Sequence, residues 1–250
     1  KKVIYLHVKP IQPVKFLKSL MMNKTIVIIG ASTGIGKALV YESAQNNDFN
    51  VIAFARKTDL MESSFESLKN VSCHFLDLEN LNSQEFTETL QQYGPIDILI
   101  NNAGYLVNKP FKDLDQNDLI KSFQINTIGI MEITKLCMPH LNNNFSHIVN
   151  ISSMGGFQGS AKFPGLTAYS SSKAALCSFT EVFAEEHKET SIKMNCLCLG
   201  AVQTKMLEQA FPGFVAEISP NEMAAYIFDF ACKQGRFING KIIPVSLSTP

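Results

Sequence analysis

Tyr169 and Lys173 are four residues apart in a segment whose apolar spacing predicts a helix. At this spacing the phenol and the ammonium lie on one face of the helix, in neighbouring turns. A tyrosine titrates at about 10, and a fixed positive charge beside it favours the phenolate. The pair is therefore a candidate for proton transfer at neutral pH, although an amphipathic helix without any chemistry has the same pattern.

A second candidate site is the segment Gly30-Ala31-Ser32-Thr33-Gly34-Ile35-Gly36, which follows a predicted strand and precedes a predicted helix. Gly30 permits a sharp turn, Gly34 lets backbone amides approach a ligand, and Gly36 lets the helix pack closely on the sheet. The helix N-terminus then faces an anion such as a pyrophosphate. Tight strand-to-helix packing without a nucleotide is the alternative, because the spacing is GxxxGxG instead of GxGxxG.

Other catalytic motifs overlap these segments. GxSxG is present with Ser32 at its centre, which would make Ser32 the nucleophile of a serine hydrolase, but no preceding sheet and no HGGG-like loop accompany it. A Walker loop needs a hydroxyl after its lysine, whereas an alanine follows Lys37. Ser170-x-x-Lys173 matches the SxxK of penicillin-binding proteins without their other motifs. These alternatives are disfavoured.

The elements that must position these residues alternate from Thr25 onward between short apolar runs and longer amphipathic segments. This pattern predicts parallel strands joined by helical crossovers. The predicted strands are 25–30, 50–55, 72–76, 96–101, 147–151, 192–199 and 241–245, and the predicted helices are 34–46, 83–93, 116–141, 168–189 and 220–233. We therefore expect an α/β fold with one doubly wound, Rossmann-like domain over 23–250 and a mostly parallel sheet of about seven strands.

Composition and charge disfavour several classes of function. The chain has 250 residues, of which 46% are hydrophobic and 18% charged, enough for one domain with a large core. Residues 1–24 carry six lysines and no acid, so 25–250 is mildly acidic and unsuited to nucleic acid. Residues 1–22 hold two prolines and no apolar run of about 20 residues, which predicts an extension outside the fold and no membrane span.

The six cysteines are dispersed along the chain. Only Cys196-x-Cys198 is closely spaced, and it lies in a predicted strand. No zinc or redox motif is present, so the sequence predicts no metal site and buried, reduced thiols in a cytoplasmic protein.

Together the motifs resemble the short-chain dehydrogenase/reductase family over essentially all of residues 25–245. They occur in the family's order, and they are Gly30-x-x-x-Gly34-x-Gly36, Asp77-Leu78, Asn101-Asn102-Ala103-Gly104, Asn126, Ile151-Ser152-Ser153, Tyr169-x-x-x-Lys173 and Leu199-Gly200-Ala201-Val202-Gln203-Thr204. The resemblance implies hydride transfer between a nicotinamide dinucleotide and a carbonyl or alcohol substrate.

The resemblance also implies a catalytic set of four residues. Tyr169 exchanges a proton with the substrate oxygen, and Ser153 hydrogen-bonds the same oxygen. Lys173 holds the nicotinamide ribose and lowers the pKa of Tyr169, while Asn126 anchors a water that connects Lys173 to solvent. Ser153 is preferred to Ser152 because the family's catalytic serine is usually the second of the pair.

The implied cofactor contacts come from every loop at one edge of the sheet. Asp77 is expected at the adenine, the segment 101–104 beside the adenosine ribose, and Thr204 near the nicotinamide carboxamide. The expected contact residues are Gly30, Ser32, Thr33, Gly34, Ile35, Gly36, Arg56, Asp77, Leu78, Asn102, Ala103, Gly104, Tyr169, Lys173, Gly200, Val202 and Thr204.

The end of the second predicted strand bears on the choice of cofactor. An NAD enzyme places a carboxylate there to accept the ribose 2′-hydroxyl, whereas this chain has Ala55 followed by Arg56 and Lys57. A cation at this position favours a 2′-phosphate, so NADP(H) is favoured over NAD(H). Thr33 is uncharged where some NADP-using relatives carry a second basic residue.

The sequence departs from the family pattern at three places. Ile29 replaces a threonine, and Leu199 replaces a proline that precedes Gly200. Ser153 and Tyr169 are 16 positions apart, about three more than usual, which suggests an insertion near 159–162. None of these departures removes a catalytic group.

We therefore expect an NADP(H)-dependent oxidoreductase that acts on a small-molecule carbonyl or alcohol and forms a homodimer or homotetramer through its long helices. Apolar residues of 205–219, among them Phe211, Phe214 and Val215, are candidates for the substrate pocket or for packing. A catalytically silent NADP-binding regulatory protein is the alternative.

Overall fold

The computed structural model describes residues 24–247, and the predicted extension over 1–22 lies outside them. Seven strands form one sheet: β1 (Lys24–Ile29), β2 (Phe49–Ala55), β3 (Val71–Phe75), β4 (Ile96–Asn101), β5 (Ser146–Ser153), β6 (Ile192–Leu199) and β7 (Ile242–Val245). Their order is β3-β2-β1-β4-β5-β6-β7, and every neighbouring pair is parallel. The predicted doubly wound, Rossmann-like sheet is confirmed, and its winding reverses between β1 and β4.

Eight α-helices cover the two faces of this sheet in the described region. They are α1 (Gly34–Ala44), α2 (Thr58–Phe65), α3 (Ser83–Leu90), α4 (Gln116–Phe123), α5 (Gly129–Cys137), α6 (Thr167–Glu186), α7 (Lys205–Ala210) and α8 (Pro220–Lys233). None of the helices in 24–247 is both long and apolar enough to span a membrane.

Three helical predictions needed correction. The predicted helix over 116–141 is divided, because a π-helical turn at Gln124–Ile128 separates α4 from α5 and a 3-10 turn follows at Met138–His140. The short helices α2 and α7 were not predicted. In α2 only Met61 and Phe65 are buried, too few positions for a period to emerge from the sequence.

The five inner strands, β1, β2, β4, β5 and β6, are buried on both faces, which explains their continuous apolar runs. Alternate residues of β1 belong to different cores, with Ile26 and Ile28 packing towards α1 and α8, and Val27 and Ile29 packing towards the opposite layer of helices.

Strand register brings the functional loops to one edge of the sheet. Ile29 pairs with both Phe54 and Asn101, so the segments after β1, β2 and β4 begin at the same level. Ser153 pairs with Leu199, which places the end of β5 beside the loop that starts at Gly200. All the sequence-predicted site loops therefore leave the carboxyl edge of the sheet.

Candidate active site

The glycine loop after β1 is a cradle that side chains would fill. Gly30 has a φ of +87°, and a β-carbon there would lie 2.6 Å from the Cα of Ala103. A β-carbon on Gly36 would lie 1.9 Å from the carbonyl oxygen of Gly30. The loop therefore requires glycine at both positions, for the turn and for close helix packing as the sequence predicted.

The N-terminus of α1 leaves its amides open to an anion. The N-cap residue Thr33 makes no side-chain capping bond, and no acidic residue lies in the first turn. Helix amides without capping partners, together with the helix dipole, favour a phosphate group. The cradle thus fits the pyrophosphate of a dinucleotide. Ser32, the residue considered as a hydrolase nucleophile, has no histidine hydrogen-bonded to it within 24–247.

Thr204 lies across this loop from α1. Its Cγ2 would be 3.3 Å from a β-carbon on Gly34, while its hydroxyl accepts a hydrogen bond from the Leu207 amide and caps α7. Thr204 therefore has the capping role that its residue type allows and also contacts the glycine loop. Gly200, at the end of β6, leaves room for Ser246, because a β-carbon would lie 2.4 Å from the Ser246 Oγ.

The two asparagines after β4 have different tasks. Asn102 donates from Nδ2 to the Gly30 carbonyl at 3.0 Å and ties the β4 loop to the glycine loop. Asn101 is fully buried and donates to Asn150 Oδ1 at 2.8 Å, so it braces the sheet from inside. A β-carbon on Gly104 would lie 3.6 Å from Lys173 Nζ, which places this turn against the catalytic candidates.

Among the remaining predicted contacts, three apolar residues are structural supports. Ile35 and Val202 pack in the core on the α1 side of the sheet, and Leu78 packs in the core on the other side. Asp77 is half-buried after β3 and accepts hydrogen bonds from the Glu79 amide and the Asn80 side chain, at 3.1 and 3.2 Å. Its carboxylate therefore shapes the turn at the expected adenine position.

Arg56 follows β2 with 59% of its side chain exposed. Its Nη1 lies 3.5 Å from Glu79 Oε2, whereas Lys121 Nζ approaches the same oxygen at 2.9 Å. A long, exposed ion pair contributes about 0–1 kcal/mol, so Arg56 can turn to another anion at small cost. Lys57 and Thr33 are exposed as well.

The two serines at the end of β5 differ in burial and in their hydrogen-bond partners. Ser152 is buried, and its hydroxyl donates to the carbonyl of Lys173 at 2.9 Å. Ser153 is partly exposed at the strand end, and its oxygen accepts a hydrogen bond from the Gly155 amide at 3.1 Å. Since that bond uses only a lone pair of Ser153, the hydroxyl proton can be donated to the Tyr169 phenol oxygen or to a substrate oxygen.

Tyr169 lies in the first turn of α6 and is partly buried. Burial raises the pKa of its phenol above the ordinary value, and a hydrogen bond with the Ser153 hydroxyl acts in the opposite direction. The phenol is therefore protonated at neutral pH.

Lys173 is almost fully buried one turn further along α6. Its ammonium donates to the carbonyl of Ile151 at 2.8 Å. Burial lowers the pKa of Lys173 to about 8. The amine therefore loses its charge not far above neutral pH.

Asn126 lies in the π-helical turn and uses both ends of its amide for support. Its oxygen accepts from the Tyr105 amide at 2.7 Å, and its nitrogen donates to the Tyr105 carbonyl at 2.8 Å and to Ser172 Oγ at 2.9 Å. Ser172 in turn donates to the carbonyl of Tyr169. The Asn126 side chain is therefore a positioning group that joins the β4 loop to α6, and sequence reasoning missed Tyr105 and Ser172.

The suggested insertion near 159–162 is folded on itself. The hydroxyl of Ser160 donates to the carbonyls of Met154 and Phe157, and the Lys162 ammonium donates to the Phe157 carbonyl at 2.6 Å. Gly159 makes the turn with a φ of +82°.

Three further loops meet at the carboxyl edge. Asn108 donates to the carbonyl of Ala210 at 2.7 Å, and Gly165 accepts from the Lys109 amide at 3.0 Å. Phe211 packs edge-on against Phe163, with ring centroids 6.3 Å apart. These contacts join the β4 loop and the turn before α6 to α7.

A cleft of about 480 Å³ opens beside the end of β7. Phe214 and Val215, two of the residues considered for a substrate pocket, line it together with Ile218, Tyr226 and Val245. Phe211 packs on Phe163 instead.

Comparisons with known proteins agree with this arrangement. A family model described as short chain dehydrogenase matches residues 24–213. The chain is 32% identical over 188 residues to the oxidoreductase BOA17 of Botryotinia fuckeliana, an alignment that covers 73% of this chain and 67% of the relative. It is 28% identical over 240 residues to the 3-oxoacyl-(acyl-carrier-protein) reductase FabG of Thermotoga maritima, covering 89% of this chain and 96% of the relative.

Solved structures show the same fold. The structure described as ElxO with NADP bound superposes with a TM-score of 0.78 at 26% sequence identity, and the alignment covers 90% of this chain and 98% of that one.

Proposed function

The chain belongs to the short-chain dehydrogenase/reductase family, and on that premise we propose that it is an NADP(H)-dependent oxidoreductase that interconverts a carbonyl and an alcohol. The observation that carries this proposal is that a protonated Tyr169 and the hydroxyl of Ser153 lie together at the sheet edge that also holds the glycine cradle. A proton donor, a second hydrogen-bond donor and a dinucleotide cradle are the groups that carbonyl reduction requires.

Tyr169 acts as general acid in the reducing direction. The bound nicotinamide supplies the hydride, or accepts it in the reverse reaction. The phenol gives its proton to the carbonyl oxygen, and Ser153 donates a hydrogen bond to that oxygen as its charge grows. Because burial raises the pKa of Tyr169, the residue holds the proton it must give throughout the neutral range.

Lys173 and Asn126 maintain this arrangement. The Lys173 ammonium is held at the carbonyl of Ile151, close to the Gly104 turn, from where it would bind the ribose hydroxyls of the cofactor. Asn126 fixes the backbone of Tyr105 and, through Ser172, the first turn of α6. Its proposed share in a water path to Lys173 rests on the family resemblance.

Preference for NADP(H) rests on the end of β2. Ala55 offers no carboxylate to a ribose 2′-hydroxyl, and the exposed Arg56 can pair with a 2′-phosphate after leaving a weak contact with Glu79. The NADP held by the ElxO structure supports the same assignment.

We also propose that the protein is a cytoplasmic homodimer or homotetramer. Exposed apolar side chains lie along α4, α5 and α6 and in the π-helical turn, namely Leu119, Ile120, Ile128, Met131 and Val182. A face of this kind supports self-association through the long helices. All six cysteines are free thiols, as expected in a reducing compartment.

The test is a screen of ketones and aldehydes for NADPH oxidation, repeated with Tyr169→Phe. The variant should keep its ring packing and bind NADPH, while turnover falls by about 10²-fold or more because the general acid is lost. Tyr93→Phe is the matched control, since the Tyr93 hydroxyl bonds His74 on β3, the outermost strand, far along the sheet from β5 and β6 on which α6 packs. Undiminished turnover in Tyr169→Phe would exclude the proton-transfer role, and NADPH binding without any reduction would favour a regulatory protein.

A further inference from the structure

Three buried thiols meet behind the candidate active site. Cys177 Sγ, on α6, lies 3.6 Å from Cys198 Sγ and 3.9 Å from Cys196 Sγ, and all three sulfurs lie within 4.8 Å of one another. Cys196 and Cys198 alternate along β6 and so share the sheet face that α6 covers. The sequence predicted no metal site, because this cluster is assembled from a helix and a strand whose cysteines have no motif spacing.

The separations match those of a tetrahedral thiolate site. A zinc–sulfur bond of about 2.3 Å with tetrahedral angles gives neighbouring sulfurs about 3.8 Å apart. Ser152 Oγ lies 3.4 Å from Cys177 Sγ, close to the separation of about 3.6 Å expected between a sulfur and an oxygen bound to one zinc ion. Two sulfur pairs and one oxygen therefore already have the separations of ligands to a common ion.

The charges of the cluster suit a divalent cation. Lys173 interacts electrostatically with all three sulfurs. Three thiolates and one divalent ion carry a net charge of −1, which the nearby ammonium balances in a buried environment.

We propose that Cys177, Cys196 and Cys198 bind one thiophilic divalent ion of the Zn²⁺ class, with the Ser152 hydroxyl as fourth ligand. The thiols lose their protons to solvent as the metal–sulfur bonds form, and no oxidant is needed. The Ser152 hydroxyl keeps its hydrogen bond to the Lys173 carbonyl. The lone pair of Ser152 that accepts a hydrogen bond from the Cys177 thiol would bind the metal instead. The ion would fasten α6 to the ends of β5 and β6.

The experiment titrates Cd²⁺ and Zn²⁺ into the reduced, chelator-treated protein until the signal is constant. Cd²⁺ should give the ultraviolet charge-transfer absorption of cadmium thiolates at a stoichiometry of one ion per chain. Native mass spectrometry should show one bound Zn²⁺, and calorimetry in buffers of different ionisation enthalpy should show release of about two to three protons per ion. None of these three readouts depends on turnover, so failure of the proposed oxidoreductase function leaves the test intact.

Cysteine variants locate the site. Cys177→Ser and Cys198→Ser should each lose most of the charge-transfer absorption, whereas Cys137→Ala, which removes a buried thiol of α5 outside the cluster, should keep it. Circular dichroism verifies the fold of each variant, and the stoichiometry and proton release of the wild type decide the outcome if a variant does not fold. Absence of cadmium–thiolate absorption in folded wild type, or full absorption in folded Cys177→Ser, would overturn the proposal.

Discussion

The side-chain amide of Asn102 donates a hydrogen bond to the carbonyl oxygen of Gly30 at 3.0 Å, which joins the loop after β4 to the loop after β1. Gly36 makes this bond possible, because a β-carbon there would lie 2.6 Å from the Asn102 amide nitrogen and 1.9 Å from the Gly30 oxygen. The glycine cradle and the Asn102 turn are therefore one unit, which a single methyl group would displace.

Gly36→Ala should consequently weaken cofactor binding while the chain still folds. The added methyl meets a backbone carbonyl and forces the loop to shift, at a cost of about 1–3 kcal/mol in unfolding free energy. Fluorescence titration should show at least tenfold weaker NADPH binding. Gly94→Ala is the control, because its β-carbon would lie 3.8 Å from Thr25 Oγ1, an ordinary contact. Equal NADPH affinity in both variants would contradict the role assigned to the cradle.

Arg56→Ala should weaken NADPH binding by about 10- to 100-fold and leave NADH binding nearly unchanged. The loss corresponds to about 1.5–3 kcal/mol for a hydrogen bond to a charged group, and NADH lacks the 2′-phosphate that receives it. Arg236→Ala removes an exposed guanidinium in the 3-10 turn after α8 and serves as the control. Retained preference for NADPH in Arg56→Ala would move the phosphate contact elsewhere.

NADPH affinity should fall as the pH rises through about 8. Lys173 has a lowered pKa of about 8, so its ammonium loses charge there and binds ribose hydroxyls less well. The nucleotide phosphates are already ionised above pH 7 and do not contribute to this change. Titrations between pH 7 and 9.5 should show about a tenfold loss in wild type and a weak, pH-independent affinity in Lys173→Met.

The same lowered pKa makes Lys173 costly to the folded state near neutral pH. Between about 8 and the ordinary value of 10.5 the unfolded chain binds more protons, so the wild type gains stability as the pH rises through this window. Lys173→Met should therefore unfold at a higher temperature than wild type at pH 7, with a difference that narrows towards pH 10.5. A variant less stable than wild type at pH 7 would contradict the claim that the buried Lys173 ammonium destabilises the folded state.

The apolar pattern and the glycine spacing were sufficient to predict a parallel sheet and the loops that leave the carboxyl edge of that sheet. Buried strands such as β4 and β6 have the predicted bounds because both faces must be apolar. The π-helical turn was not predictable in this way. The side chain of Asn126, in this turn, forms hydrogen bonds with Tyr105 and Ser172, which are 21 and 46 positions away in the sequence.

Tyr169 illustrates the same limit for chemistry. The four-residue spacing to Lys173 placed both residues on one helix, but it could not indicate that the ammonium bonds the carbonyl of Ile151 on β5. Nor does the spacing show the burial that raises the pKa of the phenol. The thiol cluster of Cys177, Cys196 and Cys198 could likewise not be predicted from the sequence, because it forms only when α6 packs on β6.

We expect His147 to limit the stability of the fold in acid. It is fully buried on β5, where its Nδ1 donates to the carbonyl of Ala231 at 2.8 Å and its Nε2 accepts from Asn195 at 3.0 Å. Gly235 packs on the ring, because a β-carbon there would lie 2.7 Å from the His147 Cγ. This environment holds the neutral imidazole, and burial lowers the pKa of His147 to about 4.

Between pH 6.5 and about 4, His147 is therefore protonated in the unfolded chain but neutral in the folded chain. The unfolding free energy falls as the pH is lowered through this window, by up to about 3 kcal/mol from this residue. His147→Gln removes the titrating group and keeps a side-chain amide for the two partners, so its urea-unfolding free energy should change less between pH 6.5 and 4 than that of wild type. His140→Gln, at the end of the 3-10 turn after α5, is the control and should follow the wild-type curve. Parallel curves for wild type and His147→Gln would show that the acid sensitivity originates in other groups.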